Sequence, residues 1–436
     1  MAILLGTQLI DVDGKVLADN LGQIILAEPY TEGFSPDYTK FDIERAVRSY
    51  VSVPIYKIEL LNYDETVRED LSQYVIESSI NYSQNFQSGK TRSLKFDLFD
   101  DNGAYFPSHI GKIWYGTKVR IHMGLLMEDT VLFFPKGIFM VETASYSQKI
   151  LSIQFTDKFG NLDGTISGIT DSEYLITPNT PIRDAIVTLL NLPTMGRLSE
   201  AEIADGNFEK FDEKQINFPS EHEGAIVPYT IRNNYESSIG DIIIELADII
   251  SCRVFYDDYG YLTLEPNNDI TDLSTRVIDW SYIDGECQFY DTNLDMKFQD
   301  VYNTVLVTGS NINGYLCQYT AVNDSASSPT SIRNSPVRFK YIDDSNIYSN
   351  DLCEVRAKYE LQLASLLSVP VSFKSVYIPF LSVNNLIEYT NDDILYGIGG
   401  GKVFEKEKLL ITSIDISGDG NTDVAAKNIK ELPFYG

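Results

Sequence analysis

Residues 236–266 read ESSIGDIIIELADIISCRVFYDDYGYLTLEP, and the change of period inside this stretch decides the fold class. Its first half places Ile239, Ile242, Ile243, Leu246, Ile249 and Ile250 at helical spacing, which makes one broad apolar stripe. These six residues are the expected core face of an organising helix. Ser237 or Ser238 is the expected N-cap, and Asp241 puts negative charge in the first turn, where the helix dipole favours it. After Ser251 the pattern alternates instead: Val254 and Tyr256, then Tyr261 and Thr263, flank Asp257-Asp258-Tyr259-Gly260. That turn, with glycine at the position needing an unusual dihedral, predicts a β-hairpin fed directly by the helix. Nothing in the stretch is catalytic in type.

Strand text lies on both sides of it. Upstream, alternation predicts strands near 54–61, 74–82, 93–99, 118–123, 130–134, 137–144 and 150–156, punctuated by Gln87-Ser88-Gly89 and Asp101-Asn102-Gly103. Short strands at this spacing mean a barrel or sandwich, not a doubly wound sheet. A helix is expected over 181–192, with Thr180 as N-cap and Pro193 as the stop. Downstream, strands are expected at 277–283, 288–298 and 302–309, a helix over about 350–368, and strands at 371–379, 386–389 and 409–416. The chain is expected to turn once more at Gly418-Asp419-Gly420. Before residue 50, short strands at 8–12 and 22–27 and a helical turn or two at 42–48 are expected. The fold class is therefore α+β and β-rich, several β-barrel or sandwich modules linked by short helices. The expected division is 1–52 as an N-terminal extension, 53–175 as a first β module and 176–275 as a mixed helix-containing module. A second β module follows at 276–349, and a C-terminal helix plus β module at 350–436.

At 436 residues the chain exceeds one core. Apolar residues make up 43% and aromatic ones 12%, which suits a folded chain with strands and large interfaces. The formal charge of −29 argues against ordinary nucleic-acid binding, because such a surface repels a polyanion on average. Cys252, Cys287, Cys317 and Cys353 lie far apart without metal-type spacing, and read as free thiols of a reducing compartment. The N-terminus lacks a basic region and an uninterrupted apolar run, so it does not read as a signal peptide. No window approaches the roughly 18 to 20 apolar residues of a spanning helix. Synthesis in the cytoplasm without membrane insertion is the expectation.

Catalytic patterns fail on inspection. His222-Glu223 opens like a zinc-peptidase helix, but Ile226 stands where the second ligand belongs. His122 falls within a strand and His109 in a loop. Gly397-Ile398-Gly399-Gly400-Gly401-Lys402 misses the phosphate-loop pattern at Tyr396 and at Val403, and reads as a hairpin tip. Asp415-Ile416-Ser417-Gly418-Asp419-Gly420 partly imitates a calcium loop, yet Ala426 occupies the position of the closing glutamate. No nucleophile elbow and no activated cysteine is present. The expectation is no enzyme, no catalytic, cofactor-binding or metal residue, and no cofactor.

One resemblance organises these modules. Residues 74–100, YVIESSINYSQNFQSGKTRSLKFDLFD, continue through Asn102-Gly103-Ala104-Tyr105-Phe106-Pro107 and Trp114-Tyr115-Gly116-Thr117-Lys118-Val119. That order resembles the first tube-like barrel of the hub proteins at the tip of phage tails. Gly137-Ile138-Phe139-Met140-Val141 resembles the strand that follows there. The helix and hairpin ending Gly260-Tyr261-Leu262-Thr263-Leu264 are similar to the second hub module. Val301 to Gly309, VYNTVLVTG, looks like the strand returning to the tube layer, and 409–416 fits the closing strand. The resemblance covers about residue 53 to the end, in module order rather than in an active-site string.

It implies a structural protein of a bacteriophage virion, located at the tail tip or baseplate. Such a hub caps the tail tube, adapts six-fold tube symmetry to a three-fold tip as a homotrimer, and forms part of the DNA channel. The implied partners are further copies of itself, distal tail or tube proteins, tip, spike or fibre proteins, a tape-measure protein, and DNA only in passage. An acidic wall suits such a channel, since it raises the energy of a polyanion without trapping it. The main alternative is a distal tail protein or other hexameric baseplate ring component. A cell-wall carbohydrate-active protein is the third reading.

Overall fold

The computed structural model describes residues 3–5, 8–10, 40–48, 54–108, 111–127, 130–170, 172–192, 196–197, 209–210, 216–250, 252–266, 276–283, 289–294, 298–312, 315–344, 347, 349–365, 369–396 and 401–428. The expected strand at 22–27, His109, the stop at Pro193, Cys287 and the glycine run at 397–400 lie outside the described residues. The chain is β-rich α+β, built from large antiparallel sheets with few short helices.

One 13-stranded sheet dominates and divides into two halves. The first half-sheet runs in the order Val75–Asn85, Arg92–Phe99, Ile150–Asp157, Val131–Ser147, Lys118–Leu126, Ile55–Leu61 and the short Val67–Asp70. The second runs Phe289–Leu294, Val369–Ser375, Thr422–Asn428, Gly401–Ser417 and Leu386–Tyr396, with Trp280–Ile283 added in parallel. A seam joins them. Ser413 to Ser417 pair antiparallel with Asn85 to Asn81, so Gly401–Ser417 serves both the second half and the junction.

Alternation explains why the sheet has one dry face. Arg92–Phe99 buries Leu94, Phe96 and Leu98, exposes Ser93, Lys95 and Phe99 and leaves Asp97 half-buried, close to the period of two that a half-covered strand requires. Both halves feed a single apolar cluster. Ile58, Phe96, Phe139 and Phe155 come from the first, and Tyr282, Phe373, Tyr389, Ile411 and Ile414 from the second. The rings of Phe373 and Tyr389 stack at 4.9 Å, and Tyr282 meets Phe373 edge-on at the same distance. Gly418 is required at the seam, because a Cβ there would lie 1.8 Å from the Glu77 carbonyl oxygen.

The organising helix spans Ile239–Ile249 and builds a separate core. Ile239, Ile242, Ile243 and Leu246 are fully buried, Ile250 nearly so, and Ile249 is half-buried against the same cluster. Each fully buried side chain of this size contributes about 1.5–3 kcal/mol. Ser238 is the cap: its hydroxyl oxygen accepts from the Asp241 amide at 3.1 Å. The hairpin follows as Cys252–Tyr256 and Leu262–Pro266, and Gly260 at φ +79° closes its turn. The helix expected over 181–192 forms as Ile182–Leu190, but Thr180 does not cap it. Its hydroxyl donates to the Thr177 carbonyl at 2.8 Å, and Pro181 holds the N-cap position.

Residues 276–349 feed two sheets. Trp280–Ile283 and Phe289–Leu294 join the second half-sheet, whereas Thr304–Ile312, Tyr315–Val322 and Phe339–Asp343 form a three-stranded sheet of their own. The helix Asn350–Ala364 shares the small core of that sheet, through Cys353, Ala357 and Leu361 against Val305 and Val307. Chain entry and exit meet where the Tyr302 amide donates to the Ala364 carbonyl at 2.8 Å.

Lys136 ties the first half-sheet to the turn beyond residue 380. Its ammonium is buried and donates to the Leu381 carbonyl at 2.7 Å and to the Ser382 hydroxyl at 3.3 Å. Burial pushes its pKa down from 10.5 to about 8, with Asp258 partly opposing that shift. Between those values the unfolded chain binds the proton and the folded chain does not, so folding gains as pH rises. Urea unfolding of wild type and Lys136→Met should therefore diverge between pH 8 and 10.5. The divergence should favour wild type, by up to about 3 kcal/mol. A difference that stays constant over this range would contradict the assignment.

Candidate functional site

The residues singled out in the sequence do not converge on a reaction centre. His222 ends a 3-10 turn, Ser220–His222, rather than opening a helix. Asp415 lies in the seam strand, whereas Asp419 sits in the next turn, accepting from the Asn421 amide at 3.1 Å and the Ser417 hydroxyl at 2.7 Å. Tyr396 and Gly401 pair across the hairpin that the glycine run connects. Cys252, Cys317 and Cys353 are free and buried, and burial raises the thiol pKa of Cys252 to about 12. Such a thiol is a poor nucleophile. Among the described residues no group of three or more His, Cys, Asp or Glu side chains could hold a metal ion.

What the fold does assemble is a polar surface crossing the seam. Strand register places side chains in rows, because residues directly opposite one another share a face. One row runs Lys374, Asp423, Asp415, Ser83, Ser93 through four successive pairings. The next runs Ser417, Asn81, Lys95, Gln154 and Thr143. Lys374, Asp423, Asp415, Ser93, Asn81, Lys95, Gln154 and Thr143 are all exposed, while Leu94, Phe155, Ile414 and Val424 point the other way into the core. Over the seam the face forms a groove of about 410 Å³, lined among others by Asn81, Ser83, Lys95, Glu142, Asp415 and Asp423.

Charge on this surface is mixed and locally frustrated. Asp415 and Asp423 face each other directly across the ladder, an arrangement that costs about 0.2–1 kcal/mol in typical strand pairs. Partial burial raises the Asp415 pKa, Asp423 raises it further, and a bond from Ser83 works against both. Small hydroxyl and amide side chains dominate the rest. Such a surface offers hydrogen bonds to water and few broad apolar or aromatic faces on which a polymer would stack. Sequence reading did not find it. Its rows join residues about 80 and about 415 in the chain, and alternation marks an exposed face without saying which strands share it.

Two buried anchors fix the helix-and-hairpin module to the first half-sheet. Arg92 donates to the Tyr256 carbonyl and pairs with Asp258 at 2.7 Å. Lys158 donates to the Gly260 carbonyl at 2.9 Å and meets Glu65 at 2.6 Å. Asp157 orders the base of this joint by accepting from the amides of Thr91 and Arg92 at 2.6 and 3.0 Å.

The comparisons with known proteins bear on this architecture. A family described as a domain of unknown function (DUF5048) matches residues 331–396. No curated protein sequence matches the chain. Among solved structures, the chain is similar to a tail protein from Neisseria meningitidis MC58. The TM-score is 0.55 at 9% identity, over 87% of this chain and 97% of that one. It is also similar to the 43 kDa tail protein of prophage MuSo2 from Shewanella oneidensis, with a TM-score of 0.53 at 11% identity. That match covers 86% of this chain and 98% of the other. At these identities the likeness is one of fold, and the fold is shared along nearly the whole length of both tail proteins.

Proposed function

We propose that the chain is a structural hub at the distal end of a phage tail, where it caps the tube and adapts it to a three-fold tip. The observation that carries this reading is the seam. Two half-sheets of similar strand number are joined edge to edge through 81–85 and 413–417, and one polar face runs unbroken across both. A protomer holding two tube-like units supplies six around a three-fold axis, which matches a six-fold tube. The fold shared with two tail proteins supports the same reading. In it the polar face lines the passage for DNA, the partners are further copies of the chain, neighbouring tube, tip, fibre and tape-measure proteins, and the role is architectural rather than catalytic.

Within this reading the first tube-like unit lies in 53–175 and the mixed module in 176–275. The second tube-like unit is drawn from the strands at 280–294 and 369–428, with 304–364 inserted between them. Residues 1–52 are an extension. Gold-labelled antibody against this chain, applied to intact virions, should decorate the distal tail end alone. Label along the tail or on the head would contradict the placement. The competing assignment, a hexameric distal ring, differs in stoichiometry and is separated from the hub by mass.

A further inference from the structure

Three parts of the fold meet at one polar joint: Phe86 just past Val75–Asn85, the hairpin Cys252–Tyr256 and Leu262–Pro266, and the turn at Asn384. Arg253 is buried there against the rings of Phe86 and Phe255, at 4.3 and 4.1 Å from their centres. Its Nε donates to Glu265 Oε2 at 2.6 Å, and the other Glu265 oxygen accepts from the Asn384 side-chain amide at 2.8 Å. Asn384 is held at φ +71°. Its carbonyl accepts from Nη2 of a second buried arginine, Arg276, at 2.8 Å.

Cations crowd this joint. Lys408 donates to the Arg276 carbonyl at 3.4 Å, and Lys427 lies 5.9 Å from the centre of the Phe86 ring that Arg253 also covers. Glu388 stands opposite Lys408 across its ladder, and Glu265 is committed to Arg253 and Asn384. Among the described residues Arg276 donates only to a neutral carbonyl. Its Nε and Nη1, and Nη1 of Arg253, are closed to solvent and have no hydrogen-bond partner.

A buried lysine can answer such a place by giving up its proton, the direction in which burial pushes Lys136. A guanidinium keeps its charge at any pH at which the chain folds, so Arg276 needs a counter-charge. A water would accept the free hydrogens but supply no charge. A carboxylate of another protein does not reach nitrogens that no solvent touches. We infer that Arg276 holds a small monovalent inorganic anion of chloride size, which locks the helix-and-hairpin module to the second half-sheet. A divalent oxoanion would bring a second charge requiring its own partner. The ion binds the folded chain alone, so stability follows its concentration.

Thermal unfolding of the full-length chain at constant ionic strength, with gluconate replaced stepwise by chloride, reads this directly. Gluconate is too large to take the place of chloride. For a site of about 10 mM affinity, 100 mM chloride should raise the ratio of folded to unfolded chain about 10-fold. Arg276→Met keeps the length of the side chain without its charge, so its ratio should change by less than about 2-fold over the same series. Equal chloride responses in the two chains, or none in wild type, overturn the inference. Stabilisation of wild type by phosphate and not by chloride overturns it as well. If Arg276→Met fails to fold, crystals of wild type grown in bromide decide. An anomalous peak beside the Arg276 guanidinium supports the site, and its absence overturns it. None of these outcomes bears on the tail assignment, which rests on other observations.

Discussion

Replacing Glu65 by alanine is expected to destabilise the chain by about 3–5 kcal/mol, one of the two largest effects of any single substitution considered. One oxygen of this buried carboxylate meets two ammonium groups, Lys158 at 2.6 Å and Lys118 at 3.1 Å, whose side chains are 0% and 1% exposed. Carbonyls of Tyr63 and Gly260 and the faces of Tyr63 and Tyr256 also lie against them. Without the carboxylate, the two ammonium groups that share it lose their ion pair in low dielectric. Breaking a buried pair costs more than the pair itself contributes, because the surviving charges cannot reach water. Glu65→Gln keeps the shape and an accepting oxygen, so it should fall between wild type and Glu65→Ala in urea unfolding. A loss under about 1 kcal/mol for the alanine variant would mean that the lysines shed their charge without cost.

The second large effect lies in the organising helix. Leu246→Asp or Ile243→Asp places a carboxylate where the native side chain has no exposed surface, inside the apolar cluster that includes Ile186, Leu189, Val254 and Leu264. Burying a charge in such a cluster costs several kcal/mol, enough to exhaust the stability of a typical domain. The expected outcome is insoluble or unfolded protein on expression. Soluble chain with an unchanged melting temperature would show that the stripe is not a core face. Asp241→Asn serves as the contrast: it sits exposed in the first turn and should cost only a few tenths of a kcal/mol.

How far the sequence carried depends on the range of the interaction. The helix Ile239–Ile249 and its hairpin were legible because every signal is local: apolar spacing, a capping serine, a turn closed by glycine. The strands at 93–99 and 150–156 were legible by alternation and form as Arg92–Phe99 and Ile150–Asp157, but that these two pair was not. Thr180 illustrates the limit of a local rule. A nearer acceptor, the Thr177 carbonyl, captures its hydroxyl before the helix can use it. The seam was not legible at all. Nothing near Asn81 or Ser417 encodes that these residues, more than three hundred positions apart, face each other, since alternation specifies a face and not a neighbour. The candidate surface inherits that limit, because its rows exist only once the seam has formed. The buried Lys118, Lys136 and Lys158 were hidden for a related reason. A lysine within a strand, as Lys118 and Lys136 are, or at the start of a turn, as Lys158 is, reads as solvent-facing until the partner that covers it is known.

A three-fold hub is defined by how many copies assemble. The most direct measurement is the mass of the purified full-length chain by light scattering after size exclusion, confirmed by native mass spectrometry. A hub that places two tube-like units per protomer predicts a discrete species of three times 49.2 kDa. A discrete hexamer, or a chain that stays monomeric at concentrations where virion rings form, would contradict the three-fold hub.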